Sequence, residues 1–395
     1  MRRWLEVESG VVSGEPSIGQ PGGQPIDWWV MRAGDLHRFI SLLKSEFDEV
    51  IGPVAVDGVI RLRPIESADD LPTGFTEQQE TGSYRLLETG TSLRFSYGLG
   101  PDSLKSIVHP PRSPVWTMRR HDGTLIVDQA LHGTTTRAVI GARACDLRAL
   151  DILERTQTGG QHTDPAFAVH RQGLFLVAID CSHPAPTCFC DTGGDGPVAD
   201  HGYDIAITEL DHPNGVIYLI RAGTDHGRSL IESLHLAPAP RTFLEHRDHQ
   251  HRSISREFIR ELPKDAAKVV RLADHPHWND VAERCLTCGN CTAVCPTCFC
   301  TDMDDIVGLD GETATRTRVW DTCFSMEYSH LGPGPHRTSP AARYRQWLSH
   351  KLGTWHDQFG ESGCVGCGRC ITWCPVGIDL TAEVESLGRP VEANA

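Results

Sequence analysis

The order of apolar and polar positions divides the chain into a leading arm, a strand-rich half and a cysteine-rich half. Residues 1–26 are rich in Gly, Pro, Ser and Gln, with GQPGGQP at 19–25, and show no repeating apolar face. They read as a flexible arm or a partner-wrapping extension, with structure expected to begin near Trp28. WWVMRAGDLHRFISLLKSEF predicts a strand and then a helix, because Leu36, Phe39, Ile40 and Leu43 recur at helical spacing and Asp35 charges the first turn. VIGPVAVDGVIRLRPI alternates short apolar runs about a VDG turn, a hairpin signal. Residues 66–134 read as loop-rich with short strands, and Pro110, Pro111 and Pro114 break any long helix. Next, Ala138–Gly141 leads through a turn into a helix and leaves Cys145 and Asp146 at the junction. Phe175–Ile179 reads as a buried strand that delivers Cys181 at its C-terminal end, ahead of a Pro- and Gly-rich loop. Two more β runs flank DHPNG at 211–215.

This alternation predicts an α/β-type domain over 27–240. Pro238, Pro240 and the basic, His-rich stretch 241–257 read as a linker. His246, His249, His251 and His275 fit no standard metal spacing and read as solvated surface. From about Phe258 a helical segment leads into the last part of the chain, 258–395. Within it, AARYRQWLSHKLGTWHDQFG predicts an amphipathic helix from Tyr344, Trp347, Leu348 and Leu352.

Length and charge narrow the classes. A chain of 395 residues points to two or three domains. With 52 acidic against 37 basic residues and a formal charge of −15, the balance argues against a nucleic-acid partner, which needs a basic face. The opening MRRWLEVESG has no apolar core after its arginines, and no run of about 18 apolar residues occurs, so neither a secretory signal nor a membrane span is expected. The 15 cysteines fall in metal-ligand spacings, which points to a reducing cytoplasm.

The strongest chemical signal is a pair of motifs, CLTCGNCTAVCP at 285–296 and CVGCGRCITWCP at 364–375. Each is C-x2-C-x2-C-x3-C-P, the bacterial ferredoxin spacing for a [4Fe–4S] cluster, in which the fourth cysteine ligates the other cluster. One cluster is therefore assigned to Cys285, Cys288, Cys291 and Cys374, and a second to Cys364, Cys367, Cys370 and Cys295. Soft thiolates suit iron–sulfur, and Gly289, Gly366 and Gly368 would let the backbone wrap a cluster closely. Structural zinc prefers separated cysteine pairs, and does not explain four cysteines in one short run ending in CP. The fold class expected is α+β: an N-terminal α/β-type domain followed by a helix-decorated, two-cluster ferredoxin-like domain with a long insertion at 297–363.

Seven cysteines remain. Cys145 and Cys181 lie at the ends of predicted strands, and Cys188 and Cys190 follow in PTCFC; if the strands are sheet neighbours, the four would cage a third [4Fe–4S] cluster. The alternative is that they are buried small hydrophobes. PTCFC recurs at 296–300, so Cys298, Cys300 and Cys323 read either as buried thiols beside the cluster ligand Cys295 or as a further three-cysteine site.

Several ordered stretches carry a resemblance: VIGP at 50–53, YRL at 84–86, SLKSIVHPP at 103–111, GARACDLRAL at 141–150, DCSHPAPTCFC at 180–190, CPTCFCTDMDD at 295–305, WDTCF at 320–324 and RYRQWLSHKLGTWHDQFGESGCVGCGRCITWCPVGID at 343–379. The chain resembles the iron–sulfur β subunit of cytosolic NADP-linked [NiFe]-hydrogenases, the sulfhydrogenases, and is similar to the electron-transfer subunit of anaerobic sulfite reductase. It departs from the common form in its N-terminal extension and in GGDGP at 193–197. The resemblance implies a subunit that relays electrons and does not itself catalyse. Its partners would be a flavin subunit that handles NAD(P)H, a large subunit that holds the [NiFe] site, and a small iron–sulfur subunit. Two other readings stand beside it. One is a flavin-binding reductase in its own right, against which no G-x-G-x-x-G follows a strand; the other is a zinc-bound assembly platform. No catalytic residue and no flavin-binding residue is assigned.

Overall fold

The computed structural model describes residues 27–390 apart from 131, 132, 134 and 329, so the arm expected at 1–26 lies outside the described residues. The strands used below are, in chain order, β1 (Trp29–Met31), β2 (Glu49–Val56), β3 (Val59–Pro64), β4 (Phe75–Glu80), β5 (Ser83–Glu88), β6 (Arg112–His121) and β7 (Thr124–Gln129). They continue with β8 (Arg137–Ala142), β9 (Leu174–Ile179), β10 (Ile205–Leu210), β11 (Ile217–Ala222), β12 (Ala237–Pro238), β13 (Thr301–Val307) and β14 (Thr313–Trp320).

The apolar runs of the first half form an eight-stranded sheet in the order β12-β1-β11-β10-β9-β8-β2-β3. Its centre is parallel, β2 with β8, β8 with β9 and β9 with β10, and its flanks are antiparallel. Parallel strands need cover on both faces, and side-chain alternation supplies it. Ala138, Ile140, Phe175, Val177, Ile205 and Ile207 share one core with Phe39, Ile40 and Leu43 of the helix α1 (Ala33–Glu46). Val139, Leu176, Ala178 and Ala206 point the other way and pack with Leu147, Leu150 and Leu153 of a long helix, Ala144–Thr158. The VDG turn is a two-residue hairpin loop between β2 and β3, with Asp57 and Gly58 at positive φ of 51° and 76°. The mixture of helices and both sheet types is the expected α+β class.

A second sheet, in the order β13-β14-β6-β7, corrects the expected division of the chain. Strands β13 and β14 belong to the insertion 297–363, yet β14 pairs along β6 from the first half. The boundary drawn between 27–240 and 258–395 is therefore bridged by backbone hydrogen bonds. Pro114 sits inside β6, where no proline is normally tolerated; the register shifts beside it, at Arg316 and Thr317 of β14.

The linker expected at 241–257 is also corrected: Arg241–Ile254 is a helix. Its polar composition hid four anchoring side chains. Phe243 and Leu244 pack on Leu210, Ile217 and Leu219, and the Arg247 guanidinium stacks 4.2 Å from the Trp28 ring centroid. Gln250 Nε2 donates to the Glu209 carbonyl at 3.3 Å. His246 and His249 are exposed as expected, but His251 turns inward, with Nε2 3.7 Å from the Asp180 carboxylate.

Candidate metal centre

The first motif starts where the helix His277–Arg284 ends; Cys285 is its C-cap. Thr287 and Gly289 then take positive φ of 50° and 74°, which curls the backbone tightly enough for the Thr287 N–H to face Cys285 Sγ at 3.4 Å. A single turn, Asn290–Ala293, carries Cys291. Asn290 Nδ2 donates to the Trp373 carbonyl next to Cys374, tying the two motifs together. One cavity is lined by five thiols: Cys285, Cys288, Cys291 and Cys374, which were assigned to one cluster, and Cys370 of the second motif. Its walls are apolar and aromatic, from Phe324, Tyr344 and Trp347. The predicted amphipathic helix delivers two of these, since Tyr344, Trp347 and Leu348 face inward from Pro340–Ser349.

The second motif mirrors the first. Gly366 and Gly368 have φ of 64° and 73°, and Arg369–Thr372 is its single turn. Cys295, from the first motif, is the neighbour that the thiols of Cys364, Cys367 and Cys370 share. Burial, opposed by Lys351, leaves the Cys364 thiol pushed up to about 12. Cys291 and Cys370 are driven above their ordinary range by burial and then by surrounding thiols. Cys295 is driven well below its own by a hydrogen bond with Cys298, against burial and with help from Lys351 and Lys105.

The glycines have a structural task that the motif alone does not reveal. A Cβ on Gly366 would lie 2.6 Å from Cys190 Cα and Phe189 C, and one on Gly368 2.4 Å from the Thr187 carbonyl oxygen. They admit the first PTCFC loop rather than only a cluster. That loop is clamped by Phe189 N–H donating to the Gly366 carbonyl at 2.8 Å.

The same clamp brings in the other four candidates. Parallel β8 and β9 end at one sheet edge, so Cys145 at the start of Ala144–Thr158 and Cys181 just after β9 emerge together. Cys145, Cys190 and Cys367 pack in one buried cluster, and the thiols of Cys188, Cys181 and Cys367 help to raise that of Cys190 after burial. Burial, with the thiols of Cys181 and Cys367, leaves Cys188 pushed up to about 12. Cys298 lies beside Cys295, whereas Cys300 pairs with Cys323 and has the Tyr328 hydroxyl at 3.7 Å.

The donor set fits iron–sulfur clusters. All 15 cysteines are free. Five of the motif thiols, Cys285, Cys288, Cys291, Cys370 and Cys374, line one shared space. Tyr344 Oη and Trp347 Nε1, both on the wall of that space, are buried donors without a hydrogen-bond partner, and cluster sulfur is an acceptor. The motif spacing does not reveal Lys105 or Lys351, which reach the thiols from outside the motifs; the only signal was a lysine on the apolar stripe of Tyr344, Trp347, Leu348 and Leu352.

Residues 284–378 match the 4Fe–4S dicluster domain family, so the twin motifs lie in a domain of that class. Over 356 residues the chain is 28% identical to the protein named sulfhydrogenase 2 subunit beta from Pyrococcus furiosus, a comparison covering 87% of this chain and 92% of that one. The chain is thus a homologue of a sulfhydrogenase β subunit. No solved structure matches it. Among the described residues no helix is long and apolar enough to cross a membrane.

Proposed function

We propose that this chain is the iron–sulfur electron-transfer subunit of a multi-subunit hydrogenase-type oxidoreductase of the cytoplasm. It would pass electrons between a flavin subunit that handles NAD(P)H and the small iron–sulfur and large [NiFe] subunits. The observation that carries this reading is one cavity lined by Cys285, Cys288, Cys291, Cys370 and Cys374, contributed by both motifs. Cross-stitched ligands hold two one-electron centres side by side, as a relay requires. The relative's name supports a subunit role.

When bound, [4Fe–4S] clusters supply reversible one-electron storage. In this reading Cys285, Cys288, Cys291 and Cys374 hold the first, Cys364, Cys367, Cys370 and Cys295 the second, and Cys145, Cys181, Cys188 and Cys190 a third. The clamp of Phe189 on Gly366 supports the third site's place beside the second. The chain's own residues exclude water: Phe324, Tyr344 and Trp347 wall the first site, and Trp355 and Val365 pack on Cys145, Cys190 and Cys367. Only the first site has an exposed thiol, Cys288, with Leu286 beside it 62% exposed, so electrons would enter or leave there.

The test is Cys374→Ser on anaerobically purified protein. The pairing predicts loss or perturbation of the cluster held by the first motif, read by electron paramagnetic resonance, with the second retained. Selective loss of the second signal would show that each motif serves its own cluster.

A further inference from the structure

Only two of the five lysines are buried: Lys105 is 2% and Lys351 6% exposed, while Lys44, Lys264 and Lys268 are exposed. A buried ammonium normally sits against a carboxylate, because removing it from water uncompensated is expensive. Among the described residues neither lysine has a carboxylate within ion-pair distance. Lys351 Nζ donates to Thr297 Oγ1 at 2.7 Å and to the Gly363 carbonyl at 3.2 Å. Lys105 Nζ donates to the carbonyls of Thr292 and Ala293, both at 3.0 Å, and lies 3.9 Å from the Trp320 ring centroid. Neutral oxygens and a ring face satisfy the donors but do not cancel the charge.

The groups around the two cations that can carry negative charge are sulfurs. Lys351 Nζ and Cys295 Sγ share the Thr297 hydroxyl, at 2.7 and 3.3 Å, and the Gly363 carbonyl that Lys351 also holds directly precedes Cys364. Lys105 lines one cavity with Cys298 and Cys300, and its carbonyl partners Thr292 and Ala293 lie just before Cys295. The thiols that act on the two cations are accordingly Cys295, Cys298 and Cys364 for Lys351, and Cys298, Cys295 and Cys300 for Lys105. They approach from opposite ends of the chain and meet on the same thiols. Lys351 lies in a π-helical segment, His350–Thr354, an irregularity that is rare and frequently marks functional sites. Arg369 provides the contrast. It is also buried, within the second motif itself, but Asp146 lies 2.9 Å from its Nη2 and neutralises it.

We propose that Lys351 and Lys105 are the counter-cations of the second cluster site, that of Cys364, Cys367, Cys370 and Cys295, and set its reduction potential above that of its neighbours. The inference rests on reading those thiols as a cluster site. A site held by four thiolates becomes more anionic with each electron it accepts, so fixed cations in a dry wall favour its reduced state. Lys351 has the larger share, since Cys364 is a ligand of that site and Lys105 reaches only Cys295 among the ligands. The second site would then hold the electron between the other two.

The experiment is a potentiometric titration of the full chain, followed by electron paramagnetic resonance, with iron and labile sulfide measured on the same samples. Lys351→Met and Lys105→Met are compared with Lys268→Met, an exposed control. We expect unchanged iron and sulfide in all three. Lys351→Met should make reduction of one cluster at least tenfold less favourable, about 59 mV for one electron, with the other signals unmoved. Lys105→Met should move the same signal in the same direction by less. Full cluster content with no midpoint moved would overturn the proposal. Should Lys351→Met lose the second cluster, Lys105→Met decides: a lowered midpoint supports the proposal and an unmoved one overturns it. Wild-type protein with no iron–sulfur signal would instead defeat the cluster reading itself.

Discussion

Arg369 and Asp146 join the second cysteine motif to the first residues of the helix Ala144–Thr158, and replacing Arg369 tests how firmly the two halves are locked. Both side chains are buried, at 2% and 4% exposure, with Nη2 and Oδ1 2.9 Å apart. Arg369 Nε also donates to the Gly100 carbonyl at 3.1 Å, and Asp146 Oδ2 accepts the Arg143 N–H at 3.2 Å. Arg369→Met keeps much of the aliphatic volume, so cavity formation is minor, but it strands the Asp146 carboxylate. Breaking a buried pair from one side costs about 3–5 kcal/mol. Asp146 Oδ1 and Arg369 Nη1 have no aligned hydrogen bond, so the lower end of that range applies. At about 3 kcal/mol, unfolding of the cluster-loaded chain in fixed urea should accelerate on the order of a hundredfold if the contact is absent from the transition state. The assay is the anaerobic unfolding rate followed by tryptophan fluorescence. Adding Asp146→Asn removes the stranded charge, so the double variant should recover a large part of the loss. An acceleration below about fivefold, the size expected of an exposed pair, would refute the reasoning.

Two further predictions concern the clamp and the sheet. Gly366→Ala sets a Cβ against the Phe189–Cys190 backbone at a positive φ, so it should displace the first PTCFC loop. The measurement is iron per chain, expected to fall by about four; wild-type iron content would contradict it. Glu209 is held by N–H groups of Arg94 and Phe95 at 2.7 and 2.9 Å, yet burial pushes its carboxyl up to about 7 from an ordinary 4.5. Between those values the folded chain keeps a proton that the unfolded chain has released, so stability falls as pH rises through that window, by about 3 kcal/mol. Glu209→Gln should flatten the dependence in urea unfolding measured from pH 4.5 to 7; equal slopes in both proteins would count against it.

Periodicity made the first half legible. The Leu36, Phe39, Ile40 and Leu43 stripe, the VDG hairpin and the Phe175–Ile179 strand all lie where the pattern placed them. Local pattern says nothing, however, about which edges meet. The pairing of β14 with β6 joins segments about 200 residues apart, and neither strand's own residues announce it. The helix at Arg241–Ile254 was hidden for a related reason: its anchors are aromatic, cationic and amide contacts made by a mostly polar sequence. The twin motifs were readable because their cysteine spacing is local. The gathering of Cys145, Cys181, Cys188 and Cys190 needed a guess about strand adjacency, which the parallel β8–β9 pair supplies. Lys105 had no local signature and Lys351 only its place on an apolar stripe, since their environment is assembled from Thr292, Thr297, Trp320 and Gly363.

The measurement that tests the central claim most directly is iron and acid-labile sulfide per chain, on protein purified or reconstituted without oxygen. Three cubane sites predict about twelve of each, falling to about eight when Cys145 and Cys190 are replaced by serine. About eight in the unaltered chain would remove the third site and leave the twin motifs as the whole relay. Zinc without labile sulfide would contradict the account.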